Sequence, residues 1–177
     1  MTGTPRVRAV LFDLDGTLYR QPPLRALMAA ELSTIAWLTR RPGEVPVLWQ
    51  ALRTFRRVRE ELRALGAAGE PLATLQYVEA ARRAGLDASA IEGMVEEWMY
   101  RRPLKYLRWV ARPEAREVLL GIRALGLRVG VFSDYPADEK LAELGLLGAV
   151  TLRLCATDPE INAFKPHPAG FLRACAL

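Results

Sequence analysis

The chain has 177 residues, 51% of them hydrophobic and 25% charged, which suits one folded domain or a core domain with a modest insert and excludes wholesale disorder. No apolar run approaches the roughly 18 residues of a membrane span. The opening stretch MTGTPRVRAVLFDLDGT meets two acids before a signal-peptide core develops, so a cytoplasmic protein is expected. Net charge is +5, and 22 of the 25 basic residues are arginine. Residues 20–112 carry 16 basic and 10 acidic groups, whereas the rest carries 9 and 10. The positive field therefore belongs to the middle of the chain, as a solvated face or as an attractor of anions.

In chain order, Val7 to Asp13 is β-branched and apolar and ends in an Asp-Gly turn signal, predicting a buried strand. Helices are predicted from Pro22 with an apolar stripe of Leu24, Leu27, Met28, Leu32, Ile35 and Leu38, from about Val45 to Leu65, and after Pro71 to Gly85. A break is read at Gly66–Gly69, and a fourth helix is read from Ala88 to Met99, ahead of Pro103. From Pro113 a helix, a strand over 127–132, a helix over 136–144, a strand over 149–155 and a final helix from Pro168 follow. Strands alternating with helices mark a parallel α/β sheet. Trp37, Trp49, Trp98 and Trp109 all fall in the helical stretch and are expected to pack its helices. Cys155 and Cys175 are too few for a disulfide framework and are expected to be reduced, buried and inert.

Three motifs carry chemistry. Asp13-Leu14-Asp15-Gly16-Thr17 follows the first strand, where open α/β sheets bind ligands. It is an ordinary Asp-Gly turn, or a pair of crowded acids that share a proton or hold a hard cation such as Mg²⁺. Ser133-Asp134 ends the second strand, as a helix cap or as a grip on an anion. Lys165 lies beyond the third strand, as a solvent-facing loop residue or as a counter-charge for a transferring phosphoryl group. His167, between two prolines, reads as a turn residue, and Tyr19 as a residue of the hinge or of the substrate pocket.

The runs VLFDLDGTLY, VFSDYP and KPHPAGFLRA, each after a predicted strand, resemble the haloacid dehalogenase (HAD) superfamily. The insert between the first two resembles the helical cap of its phosphoglycolate-phosphatase-like branch. The resemblance implies an α/β fold with a parallel, Rossmann-like sheet core, C-terminally shortened, built from residues 1–19 and 113–177. An all-α cap over 20–112 is inserted after the first strand. It further implies a Mg²⁺-dependent phosphatase for a small phosphorylated substrate. Asp13 would be the nucleophile and a metal ligand. Asp15 would be the general acid and base, its main-chain carbonyl also on the metal. Ser133 and Lys165 would complete the catalytic set, and Thr17, Ser133, Asp134 and Lys165 would bind substrate.

The family's fourth motif, an acidic pair, has no counterpart, since 12 residues follow Lys165 and none is acidic. Its further strands beyond the first are missing too, which predicts an exposed apolar sheet edge. A shortened reading, a second chain or second copy that completes the sheet, and a silent module that pairs with a partner remain alternatives. Nucleic-acid binding by Arg53 to Arg59 is not expected, because those arginines spread around a helix without a recognition motif.

Overall fold

The computed structural model describes residues 7–39, 43–66 and 69–177, so the residues before Val7 and the Ala67-Ala68 part of the predicted break lie outside it. Three strands, β1 (Ala9–Phe12), β2 (Arg128–Ser133) and β3 (Leu152–Cys155), form one parallel sheet in the order β1-β2-β3. Val10 pairs with Val129, Phe12 with Val131 and Ser133 with Cys155. Parallel neighbours need long crossovers. Between β1 and β2 lie α1 (Gln21–Thr39), α2 (Glu44–Leu65), α3 (Leu72–Ala84), α4 (Ala88–Val95), the short α5 (Arg102–Leu104) and α6 (Leu107–Val110), and α7 (Ala115–Ala124). Between β2 and β3 lies α8 (Asp138–Glu143), and α9 (Ala169–Ala176) follows the sheet.

Strand alternation sends β2 side chains to opposite faces. Val129 and Val131 pack with Leu119 of α7 and Leu141 of α8, whereas Phe132 packs with Leu154 and Phe164. On that second face α9 lies so close that a Cβ at Gly170 would sit 2.1 Å from the Phe132 ring, so only glycine fits there. Among the described strands β1 is an edge, with Leu11 and Phe12 half-buried.

The helical stretch does not close on a core of its own. Phe55, Val58, Leu72, Ile91 and Val95 share one apolar cluster with Phe132, Leu154 and Phe164 of the sheet side. Leu24, Leu107 and Val110 share the other with Leu14, Val129 and Val131. The chain leaves and returns side by side: Tyr19 and Ala111 form an antiparallel bridge, flanked by Arg20 N–H to the Val110 carbonyl at 2.9 Å and Arg112 N–H to the Leu18 carbonyl at 3.1 Å. Glu31 ties α1 down through Arg102 and Lys105, each at 2.7 Å, and the Tyr106 hydroxyl at 3.0 Å.

Several local expectations change. The fourth helix does not stop at Met99; it widens into a π-helical turn, Glu96–Arg101, and runs on into α5. The widening lies just ahead of Pro103, which has no N–H to continue the ordinary ladder. Trp37, Trp49 and Trp109 are 79%, 55% and 67% exposed and are not buried between helices, although the Trp109 ring lies 5.6 Å from that of Tyr106. Trp98 alone is half-buried, under the Arg102 guanidinium at 4.5 Å. Inward packing of α1 falls instead to Leu24, Leu27 and Met28, and Trp37 lies off that stripe. Both cysteines are free, but Cys175 is exposed rather than buried. No helix among the described residues is long and apolar enough to cross a membrane.

Candidate active site

Asp13 leaves the C-terminal end of β1, Ser133 ends β2, and Lys165 sits in the loop between β3 and α9, so sheet register alone gathers three distant positions. Gly16, at φ +90°, takes the left-handed turn that folds residues 13–17 back on themselves. Lys165 Nζ donates to Asp13 Oδ1 and, at 3.2 Å, to the Phe132 carbonyl. The Thr17 hydroxyl donates to Asp13 Oδ2 at 3.3 Å from an exposed position. The Asp13 side chain is 41% exposed, so one edge of this carboxylate faces solvent.

Asp15 sits in a different environment. Lys140 Nζ donates to its Oδ1 at 2.6 Å, the Tyr19 hydroxyl donates to the same oxygen, and the Ser133 hydroxyl donates to Oδ2 at 3.2 Å. Burial alone would raise the carboxyl, but the Lys140 charge and the bonds from Lys140, Tyr19 and Ser133 together hold it below its ordinary value. Burial and the neighbouring Asp15 charge push the Tyr19 phenol far up, so it remains a donor.

Ser133 is fully buried and faces Asp15, and its oxygen also accepts the Tyr135 N–H at 3.1 Å. Asp134 turns away from Asp13. Its Oδ2 meets Arg63 at 2.9 Å and its Oδ1 accepts the Lys165 N–H at 3.1 Å. Asp158 accepts the Cys155 N–H at 2.8 Å, and Glu160 pairs with Arg173 at 2.6 Å, so neither acid reaches the site. His167 accepts the Ala169 N–H, in keeping with a turn. Tyr19 serves both the hinge bridge and Asp15.

Lys140 went unnoticed in the sequence. Its one visible signal is scarcity: lysine occurs three times in the chain, and two of the three meet the acids of the Asp13–Asp15 motif.

No group of three acidic, histidine or cysteine side chains among the described residues could enclose a metal. The Asp15 carboxylate is committed to its three donors, whereas the Asp13 side chain is 41% exposed and takes one donor on each oxygen. Mg²⁺ characteristically keeps several waters and is held by one or two carboxylates together with substrate phosphate. The donors fit an ion shared in that way. Asp13 would hold it, with the Asp15 main-chain carbonyl as the second ligand that the resemblance implies.

A family model for haloacid dehalogenase-like hydrolases matches residues 7–177. A 2-haloacid dehalogenase from Pseudomonas syringae pv. tomato DC3000 superposes with TM-score 0.58 and 25% identity, over 97% of this chain and 72% of that one. A magnesium-bound HAD-hydrolase from Bacillus subtilis gives 0.57 at 14% identity, covering 96% and 73%. A crystal structure described as a predicted phosphoglycolate phosphatase, from Haemophilus somnus 129PT, gives 0.52 at 18% identity, covering 98% and 72%. Below 25% identity such likeness speaks to the fold alone. Among curated proteins none matches the sequence.

Proposed function

The chain belongs to the haloacid dehalogenase-like hydrolase family, and from that premise we propose that it hydrolyses a small phosphorylated metabolite through an ester formed on Asp13. The observation that supports this reading is the half-open Asp13 carboxylate, steadied by the Lys165 ammonium at the strand ends. An Asp13 oxygen attacks phosphorus, and the bond to the leaving oxygen breaks with its electron pair on that oxygen, which takes a proton. Water then attacks the phosphorus and Asp15 accepts its proton. The bond to Asp13 breaks, and phosphate departs. The Asp15 carboxyl lies below its ordinary value in the free chain, which favours the base half of its acid-and-base role.

Lys165 orients Asp13 and offsets phosphoryl charge, and Thr17 offers a hydroxyl beside the attacking carboxylate. Ser133 anchors Asp15, and Asp134 anchors the Lys165 loop. Mg²⁺, when held by Asp13 and the Asp15 carbonyl, supplies further positive charge against the phosphoryl oxygens. Residues 20–112 take the part of a cap over residues 1–19 and 113–177, and their surplus of positive charge suits an anionic substrate.

A second reading has its own support. The Pseudomonas syringae relative at 25% identity is described as a 2-haloacid dehalogenase, and a halide leaves without needing a proton. Asp13 would then attack carbon, expel halide, and be freed when water hydrolyses the carboxylic ester.

One experiment separates the two. The full chain is incubated with a panel of phosphomonoesters in Mg²⁺ and with 2-haloacids, while phosphate and halide release and the intact mass are followed. Phosphate release with a phosphoryl adduct, both absent in Asp13→Asn, is the expected result. Halide release with a carboxylic-ester adduct favours the second reading. Release of neither by a cooperatively folded chain sinks both.

A further inference from the structure

Arg59 of α2 is 2% exposed, yet among the described residues it forms no ion pair. A charge buried so deeply has to be compensated. Compensation comes from neutral groups: Nη2 donates to the Asp134 carbonyl at 2.5 Å, and Nη1 donates to Gln76 Oε1. The guanidinium carbon also lies 4.1 Å from the centre of the Tyr135 ring and 4.3 Å from that of Phe164. Its Nε finds no acceptor, so the two rings and the two Nη hydrogen bonds together hold the guanidinium in place.

The identity of the two rings is the important point. Tyr135 follows Ser133-Asp134, and Phe164 immediately precedes Lys165. One planar cation therefore sits between the two loops that carry Ser133 and Lys165. One helical turn later, Arg63 holds Asp134 Oδ2 at 2.9 Å, while Asp134 Oδ1 takes the Lys165 N–H. Helix α2 thus reaches the main chain of Lys165 through a single acid, and Lys165 in turn reaches Asp13. An apolar side chain could fill the same space without the cost of burying charge. What arginine adds is a rigid flat spacer with directed donors.

We propose that Arg59 is a positioning residue: by stacking between Tyr135 and Phe164 it fixes the spacing of the Ser133 and Lys165 loops, and so the seat of the ammonium on Asp13. Its relevance to catalysis rests on Asp13 and Lys165 being the reacting pair, but the positioning itself can be read without any substrate. The helical segment is then part of the site's scaffold and not merely a lid above it.

Hydrogen exchange on the full chain tests this. In Arg59→Met the amides of Tyr135 and Lys165 should exchange at least tenfold faster, while β2 amides such as Val131 keep their wild-type rates. Arg59→Lys, which keeps the charge and loses the plane, should show the same loss. In lysine-labelled protein the Lys165 side-chain signal should move toward that of an unpaired lysine, with Lys105 unchanged. Should Arg59→Met fail to fold, Phe164→Leu removes one stacking face and must give the same pattern at smaller amplitude. Unchanged loop amides, or acceleration spread equally over β2, overturn the proposal. Failure of the hydrolase reading shows separately, as absent phosphate and halide release with the exchange pattern intact.

Discussion

Two aspartates two residues apart in the chain, Asp13 and Asp15, each pair with a lysine, and the two pairs behave as different devices. In Asp13–Lys165 the side chains are 41% and 23% exposed, and a carboxylate oxygen faces solvent. In Asp15–Lys140 they are 12% and 8% exposed, and the carboxylate already takes donors from α8, from the hinge at Tyr19 and from the end of β2. An ion pair open to water contributes little to stability and leaves its acid free to react. A closed pair has the opposite character: breaking it strands a buried charge, and its acid is fixed in one orientation. The first pair presents the nucleophile to solvent, and the second holds the base in one orientation beside the hinge.

Substitutions can separate the two roles. Asp13→Asn should lower turnover by on the order of 10⁴-fold or more, as removal of a covalent nucleophile does. Its melting temperature should change little, because the pair is exposed, and thermal unfolding beside a turnover assay checks both. Lys140→Met should instead cost about 3–5 kcal/mol of stability near pH 7. The pH dependence has a definite sign. The Asp15 carboxyl is depressed in the folded state, so its contribution is present above the ordinary carboxylate range and lost as pH falls through the folded value. Without the ammonium, burial is opposed only by the Tyr19 and Ser133 donors, and the carboxyl moves up. The deficit of Lys140→Met should therefore shrink as pH falls from neutral through the carboxylate range in urea titrations. A deficit that stays constant would mean that Lys140 acts by packing rather than by charge.

Lys165→Met comes next. Loss of the ammonium beside the attacking oxygen should lower turnover about 10²–10³-fold, with a stability loss under about 1 kcal/mol for so exposed a pair. If stability falls as far as in Lys140→Met, the two pairs do not differ in kind.

Which parts of this were legible in the sequence follows from how far each signal travels. Strand–motif–helix order is local, so VLFDLDG, VFSD and the loop around Lys165 could be placed at strand ends from the text alone. Parallel pairing then brings Asp13 and Lys165 into contact across 152 positions. Lys140 carries no such mark: it sits in a helix whose periodicity tells its face but not its partner, 125 positions from Asp15. Arg59 was hidden differently. In the run Arg53 to Arg59 it reads like its neighbours, yet Arg53, Arg56 and Arg57 are exposed and Arg59 is buried, a distinction only packing makes. The tryptophans misled for the converse reason, since large apolar side chains remain on a surface that polar atoms cannot fully cover.

The smallest effects give the sharpest contrast. Tyr19→Phe removes one donor from Asp15 and leaves Lys140 and Ser133 in place, so no buried charge is stranded. The ring keeps its packing, and the main-chain bridge to Ala111 is untouched. About 1.5–3 kcal/mol of stability should be lost, the scale of one bond to a charged acceptor. Turnover per folded molecule should stay within a factor of a few, because two donors still orient the base. Thr17→Val makes the matching cut beside Asp13, at an exposed hydroxyl. There stability should hold within about 0.5 kcal/mol, while turnover falls more than in Tyr19→Phe. Denaturant midpoints and initial rates on both variants, measured side by side, decide the matter. Equal effects on both quantities would mean that the hydroxyls serve one continuous network, and the division between an open reacting pair and a closed supporting pair would have to be abandoned.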